Sequence, residues 1–231
     1  MKQKISEIMN RVSEAASSCS RKPEKIRIVA VTKTVPAEKI REAAASGISV
    51  IGESYIQEAR NKYDLLYGTP VSWHFIGHLQ TNKAKYAIKM FDLIHSVDSV
   101  KLAEELDIQA KKINKVQNIL IQVNIGREET KSGINEEDVP DFIKEAVRFQ
   151  NISVKGLMVI PPFFDDPEIV RPYFSSLFRL QGKLRNSLAS DGIKNVSMGE
   201  LSMGMSGDFE VAIEEGSTLV RIGTAIFGER K

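Results

Sequence analysis

Apolar residues recur along the chain with two periods, and the periods alternate. Residues 1–20 place Ile5, Ile8, Met9 and Val12 three and four apart with charges between them, the spacing of an amphipathic helix. From Ile26 to Thr32 the pattern becomes an almost unbroken apolar and β-branched run, which reads as a strand buried on both faces. Helical spacing returns after Pro36 in AEKIREAAASG, closed by Gly47. The exchange then repeats. Strands are predicted at ISVIGE, VSWHFIGH, DLIHSVDS, NILIQVNIG and ISVKGLMVIP, with a short one in NVSMGELSMG and an eighth at STLVRIG. Helices are predicted at SYIQEARNKYDLL, LQTNKAKYAIKMF, SVKLAEELDIQAKKIN, EEDVPDFIKEAVRF, Arg171 to Ala189 and SGDFEVAIEEG. Two irregular segments interrupt this order: REETKSGI, and a loop holding Pro161, Pro162 and Pro167.

Alternation of this kind implies a parallel sheet under helices. Eight units in 231 residues, without a long linker or a shift in composition, predict an α/β fold: one (β/α)₈ TIM-type barrel domain spanning 1–231, with an extra N-terminal helix. An open doubly wound sheet is the structural rival, but no GxGxxG follows any strand and no GxxxxGK[ST] occurs.

Charge changes the picture by exclusion. The chain carries 32 basic and 30 acidic residues, interspersed, so neither nucleic acid nor a membrane surface is expected as a partner. The single cysteine, Cys19, permits no internal disulfide and no zinc-finger spacing, which fits a reducing cytoplasm. The first residues, MKQKISEIMNRVSEAA, hold no apolar signal core, and no run approaches the roughly 18 apolar residues of a membrane span. A soluble cytoplasmic protein is expected.

Three positions then stand out as polar residues in apolar settings. Lys33 follows the first strand and shares its alternation with Val29 and Val31. The carboxyl ends of barrel strands carry the chemistry of such folds. Burial disfavours a charged ammonium, and a lysine so placed is a usable nucleophile towards an aldehyde; a lysine that merely snorkels at a strand end is the plainer alternative. The loops after the seventh and eighth strands often hold phosphate in barrels. Here they are SMGMSGD, Ser202 to Asp208, and Gly223–Thr224–Ala225. Ser206, Thr224 and the backbone at Gly223 would supply donors, although small residues in loops are also ordinary turn chemistry. Arg221 interrupts the apolar strand TLVRIG and needs an acceptor, because an unpaired buried charge is costly. Neighbouring first and eighth strands would bring lysine, arginine and phosphate loops together, a set that fits pyridoxal 5′-phosphate, a phosphorylated aldehyde.

Other candidates carry less. His74 and His78 are four apart but fall in a strand and its exit, with no carboxylate at a matching position, so a metal site is not expected. His95 is expected to pack at a strand end, Trp73 and Phe75 to be core, Asp165–Asp166 to be solvated, and Met198, Met203 and Met205 to be adaptable packing.

The segments VAVTKTVP, IGESYIQE, WHFIGHLQTNK, HSVDS, QVNIGREETKSG, GLMVI, LSMGMSGDFEVAI and GSTLVRIGTAIFGER, in that order and across nearly the whole chain, resemble the pyridoxal phosphate homeostasis protein family. The family's barrel is similar to the amino-terminal domain of bacterial alanine racemase. The resemblance implies that Lys33 holds the cofactor as a Schiff base. It implies that Ser206, Gly223 and Thr224 hold its phosphate, that Arg221 faces the pyridine nitrogen, and that Met158 lies near the ring. It also implies a departure at Ser54, where relatives have an asparagine close to the cofactor; serine is shorter and lacks the amide.

Two functions compete. One is intracellular homeostasis and carriage of pyridoxal phosphate, with apoenzymes as recipients, a monomeric state and negligible amino-acid turnover. The other is an amino-acid racemase of the alanine racemase type, which needs a second base from a separate carboxyl-terminal β domain. The sequence stops about nine residues after the eighth strand, so no such domain is expected and carriage is favoured. A Schiff-base aldolase is more distant, since a lysine on the first strand is unusual there.

Overall fold

The computed structural model describes residues 1–128, 132–188 and 193–229. Eight parallel strands close into a barrel in sequence order. They are β1 (Arg27–Val31), β2 (Val50–Glu53), β3 (Ser72–Phe75), β4 (Leu93–Val97), β5 (Gln117–Gln122), β6 (Ile152–Met158), β7 (Val196–Met205) and β8 (Leu219–Ile222). The helices among the described residues are α1 (Lys2–Ser18), α2 (Ala37–Ala45), α3 (Ile56–Tyr63), α4 (Ala84–Met90), α5 (Val100–Lys111), α6 (Val139–Ala146), α7 (Arg171–Leu188), α8 (Phe209–Glu214) and α9 (Thr224–Phe227). The barrel and its extra amino-terminal helix are those expected from the apolar pattern. α1 packs on α8 and α9 at the seam where the ring closes.

Strand alternation sorts side chains into two cores. Val29, Val50, Leu93, Leu120, Met158 and Leu219 fill the barrel interior. Their strand neighbours Ala30, Ile51, Ile94, Ile119, Val220 and Ile222 pack outward beneath the helices. Both faces are therefore apolar, and this is why the first strand reads as an almost unbroken apolar run.

Several boundaries differ from the sequence reading. The seventh strand is not short: β7 runs ten residues. It tolerates Met198 at φ 46° and Gly204 at φ 90° through irregular pairing with β6 and β8. At Gly204 a β-carbon would lie 2.5 Å from Ala212 Cβ, so only glycine lets α8 approach. β3 ends at Phe75 rather than reaching His78, because the chain turns where a β-carbon on Gly77 would lie 2.1 Å from the Ser54 carbonyl oxygen. The helix expected from Leu79 begins only at Ala84, after a single 3₁₀ turn over Thr81–Lys83. Residues 129–131 of the irregular segment REETKSGI, and Ala189, lie outside the described residues. Among the described residues no helix is long and apolar enough to cross a membrane, and no group of three or more histidine, cysteine or acidic side chains could hold a metal ion.

Candidate functional site

The pairing of β8 with β1 sets Arg221 directly beside Val29, so its side chain shares the interior face with the apolar plug. β1 ends at Val31 and Lys33 sits in the turn beyond it, half-buried, with Thr34 in the left-handed region at φ 62°. Two clefts meet at Lys33. The first, about 300 Å³, is lined by Val31, Lys33, Phe163 and Phe164 on one side and by Ser206, Asp208, Arg221, Gly223 and Thr224 on the other. The second, about 460 Å³, joins Lys33 to Ser54, Tyr55, His78, Gln122 and Ile160.

The first cleft gathers five of the seven residues singled out in the sequence: Lys33, Ser206, Arg221, Gly223 and Thr224. The loops after β7 and β8 are tied together, since the Gly223 N–H donates to Ser206 Oγ at 3.3 Å. Ser54 lines the second cleft instead, one lobe away from the hydroxyl-rich loops. Met158 is fully buried in the interior cluster below. It belongs to the floor and is not among the lining side chains.

Arg221 is 4% exposed. Its Nη1 donates to Ser202 Oγ at 2.7 Å and its Nη2 to the Val159 carbonyl at 2.9 Å. Burial lowers its pKa to about 10, against the attraction of Asp208, so the guanidinium stays charged at neutral pH. Behind it runs a chain of buried polar groups. His95 Nδ1 lies 2.8 Å from Ser202 Oγ, and His95 Nε2 lies 2.9 Å from His74 Nδ1. Arginine only donates, so the direction that pairs the hydrogens of Ser202 and His95 has the Ser202 hydroxyl donating to His95 Nδ1 and His95 Nε2–H donating to His74 Nδ1. Both imidazoles are then neutral. Burial, its largest cause, pushes the pKa of His74 down to about 3 and that of His95 well below the usual range, helped at His95 by the neighbouring His74 and Arg221. His95 therefore does not simply pack at a strand end. It is a buried link between β3 and β7, and the His74–His95 pair forms a hydrogen-bond bridge between those strands.

Asp208 was not singled out in the sequence. It lines the same cleft, and burial raises its pKa. Its Oδ1 accepts the Met205 N–H at 2.5 Å, which bends the loop after β7 and occupies one face of the carboxylate. Phe163 and Phe164, from the proline loop, also went unremarked in the sequence; only the fold brings that loop over the cleft. Trp73 and Phe75 are core as expected.

A family model, "Alanine racemase, N-terminal domain", matches residues 4–231. A pyridoxal phosphate homeostasis protein of Aquifex aeolicus is 45% identical over 229 residues, covering 99% of this chain and 98% of that protein. The protein of that name from Escherichia coli K12 is 37% identical over 229 residues, covering 98% and 95%. The chain belongs to the pyridoxal phosphate homeostasis protein family. A solved relative, PipY of Synechococcus elongatus "with PLP bound", has a TM-score of 0.82 at 35% identity and covers 94% of this chain and all of that one. Alanine racemase of Clostridium difficile shares the fold alone, at TM-score 0.70, 16% identity and 57% of the racemase chain. Ser54, where the resemblance implies an asparagine in relatives, lines the second cleft.

Proposed function

We propose that this protein binds pyridoxal 5′-phosphate covalently through Lys33, stores it and hands it on, without using it to transform amino acids. The observation that carries this reading is the first cleft, in which one amine, two hydroxyls, a glycine backbone and a buried guanidinium face a common space. That donor set suits the group: a phosphate needs several N–H and O–H donors, an aldehyde needs an amine, and a ring nitrogen needs a partner. The full-length relationship to homeostasis proteins, and to PipY with the cofactor bound, supports it. When bound, the group supplies an aldehyde that condenses with an amine and releases water, and that exchanges one amine for another.

In this reading Ser206 and Thr224 hold the phosphate with the Gly223 backbone close against it, Arg221 faces the ring nitrogen, Met158 supports the floor, and Ser54 borders the approach of an incoming amine. The mouth is rimmed by exposed Tyr55, Ile160 and Phe163, an apolar edge suited to brief contact with recipient apoenzymes in the cytoplasm. Residues 1–231 act as one domain, and a monomer leaves that rim free.

The test is an absorption spectrum of the purified protein with pyridoxal phosphate, followed by borohydride reduction and peptide mapping. A visible band lost in Lys33→Ala, with the reduced adduct on Lys33, is the expected result. An adduct on another lysine would overturn the assignment.

A further inference from the structure

Lys33 lies beyond the last ladder bond of β1, so the barrel sheet itself does not fix the direction of its amine. The Val35 N–H closes the turn onto the Thr32 carbonyl at 3.0 Å, and the remaining hold on the flanking peptide groups comes from α3. Lys62 Nζ, on α3, donates to the Thr32 carbonyl at 2.6 Å, and Glu58 Oε1 accepts the Thr34 N–H at 2.5 Å. The two peptide groups flanking Lys33 are thereby tied to two side chains of one helix. Those side chains are one helical turn apart, in the favourable acid-before-base order, and pair with each other at 2.6 Å. Glu53, at the end of β2, completes the cluster: its Oε1 accepts from Lys62 Nζ at 2.8 Å and from the Thr32 hydroxyl at 2.7 Å. None of the three side chains lines either cleft.

Two features show that this arrangement does more than add stability. Glu53 is fully buried, and its Oε2 has no hydrogen-bond partner among the described residues. A buried, incompletely satisfied ion cluster is a poor source of stability. Thr34 holds a left-handed conformation that a β-branched residue avoids and keeps only where its surroundings over-determine it. The Glu58 carboxylate on its N–H is such a constraint.

We infer that Glu53, Glu58 and Lys62 form a positioning device that fixes the turn presenting the Lys33 amine to the cleft. They are positioning residues and touch no reacting atom. The inference builds on the reading of Lys33 as the attachment point, and it gives the IGESYIQE segment and the following Lys62 a task that the cleft does not account for.

The experiment compares Glu58→Ala, Glu58→Gln and Lys62→Met with the parent protein by three measurements. The first is the rate at which Lys33 captures pyridoxal phosphate. The second is the affinity for pyridoxine 5′-phosphate, which carries the phosphate and ring but no aldehyde. The third is competitive labelling of the ligand-free protein with isotope-coded acetic anhydride, reading the Lys33 rate against pH beside exposed Lys101. Misplacing a reacting group by an ångström costs up to about a hundredfold. Capture should therefore slow about ten- to hundredfold in Glu58→Ala and Lys62→Met, while pyridoxine 5′-phosphate affinity stays within about twofold. The Lys33 labelling profile should shift and that of Lys101 should not. Glu58→Gln keeps an acceptor for the Thr34 N–H and should recover most of the capture rate.

Parent-like capture and labelling in all variants would overturn the inference. So would equal losses of capture, pyridoxine 5′-phosphate binding and melting temperature, with glutamine no better than alanine. If the parent takes up no pyridoxal phosphate on Lys33 yet its labelling still depends on Glu58 and Lys62, the positioning stands and the functional reading falls. Parent-level labelling in every variant decides against the positioning whatever the parent binds.

Discussion

Ser206 and Thr224 reach the cleft from two separate loops, and each offers a hydroxyl and no charge. A hydrogen bond from such a donor to a phosphate dianion is charge-assisted and contributes about 1.5–3 kcal/mol. Replacing either with alanine should weaken binding of the phosphorylated cofactor by about ten- to hundredfold. The same substitutions should leave binding of pyridoxal, which lacks the phosphate, nearly unchanged. Equilibrium titration of both ligands against both variants checks this; equal losses for the two ligands would mean that the hydroxyls do not meet the phosphate. Ser206 carries a second consequence, because its Oγ also accepts the Gly223 N–H. Ser206→Ala frees the loop after β8 as well as removing a donor, so it should cost more than Thr224→Ala.

At the level of elements, the chain from His74 through His95 and Ser202 to Arg221 ties β3, β4, β7 and β8 together across the barrel interior. Its histidines make folding sensitive to acid. In the unfolded chain His74 takes up a proton near pH 6.5, but in the folded protein only near pH 3. Between those values the unfolded state binds more protons. The stability is therefore complete above pH 6.5 and is lost as pH falls through the interval. At about 1.36 kcal/mol per pH unit, the His74 share is on the order of 5 kcal/mol by pH 3. Glu53 acts in the opposite sense: burial raises its pKa, so its contribution favours low pH and is lost as pH rises through the raised value. Urea unfolding at pH 7.5 and pH 5 should show a marked loss at pH 5, and His74→Gln should flatten that loss while lowering stability at both. An unchanged slope in His74→Gln would mean that the imidazole does not titrate on unfolding.

The same elements show what could be read from the chain without coordinates. Arg221 was visible because it interrupts an apolar strand, where a charge is costly and needs a reason, and Lys33 because it directly follows one at the barrel's chemical end. The strands themselves were visible because burial on two faces makes a continuous run. The link from His95 to Ser202 was not, since β4 and β7 are not neighbours in the ring and meet only when it closes. Asp208 was not visible either, since nothing in SMGMSGD shows that its carboxylate accepts the Met205 N–H and lines the cleft. The length of β7 was hidden by its glycines and by the irregular pairing that accommodates them.

For the whole molecule, closure of the ring decides how much chemistry the cleft supports. It brings Arg221 beside β1 as a donor that remains charged at neutral pH. A group that only donates keeps a ring nitrogen facing it unprotonated, which weakens the cofactor's capacity to draw charge from a Cα centre. Inversion at Cα also needs a held acid or base on the face away from Lys33, and a positioned one contributes about 10²–10⁴-fold. In the first cleft Asp208 is engaged with the Met205 N–H. In the second, Tyr55 is 60% exposed and the His78 side chain is 61% exposed, so neither is fixed by packing. Both conditions point the same way: Lys33 should exchange amines and release the cofactor faster than the protein performs chemistry at Cα. The loaded protein, incubated with single-enantiomer alanine in deuterium oxide, should show Cα exchange and change of enantiomer ratio far below about 1 s⁻¹, the lower end of ordinary enzyme turnover. A change of enantiomer ratio at or above that rate would restore the racemase reading and mark Tyr55 or His78 as the second base, to be separated by Tyr55→Phe and His78→Asn.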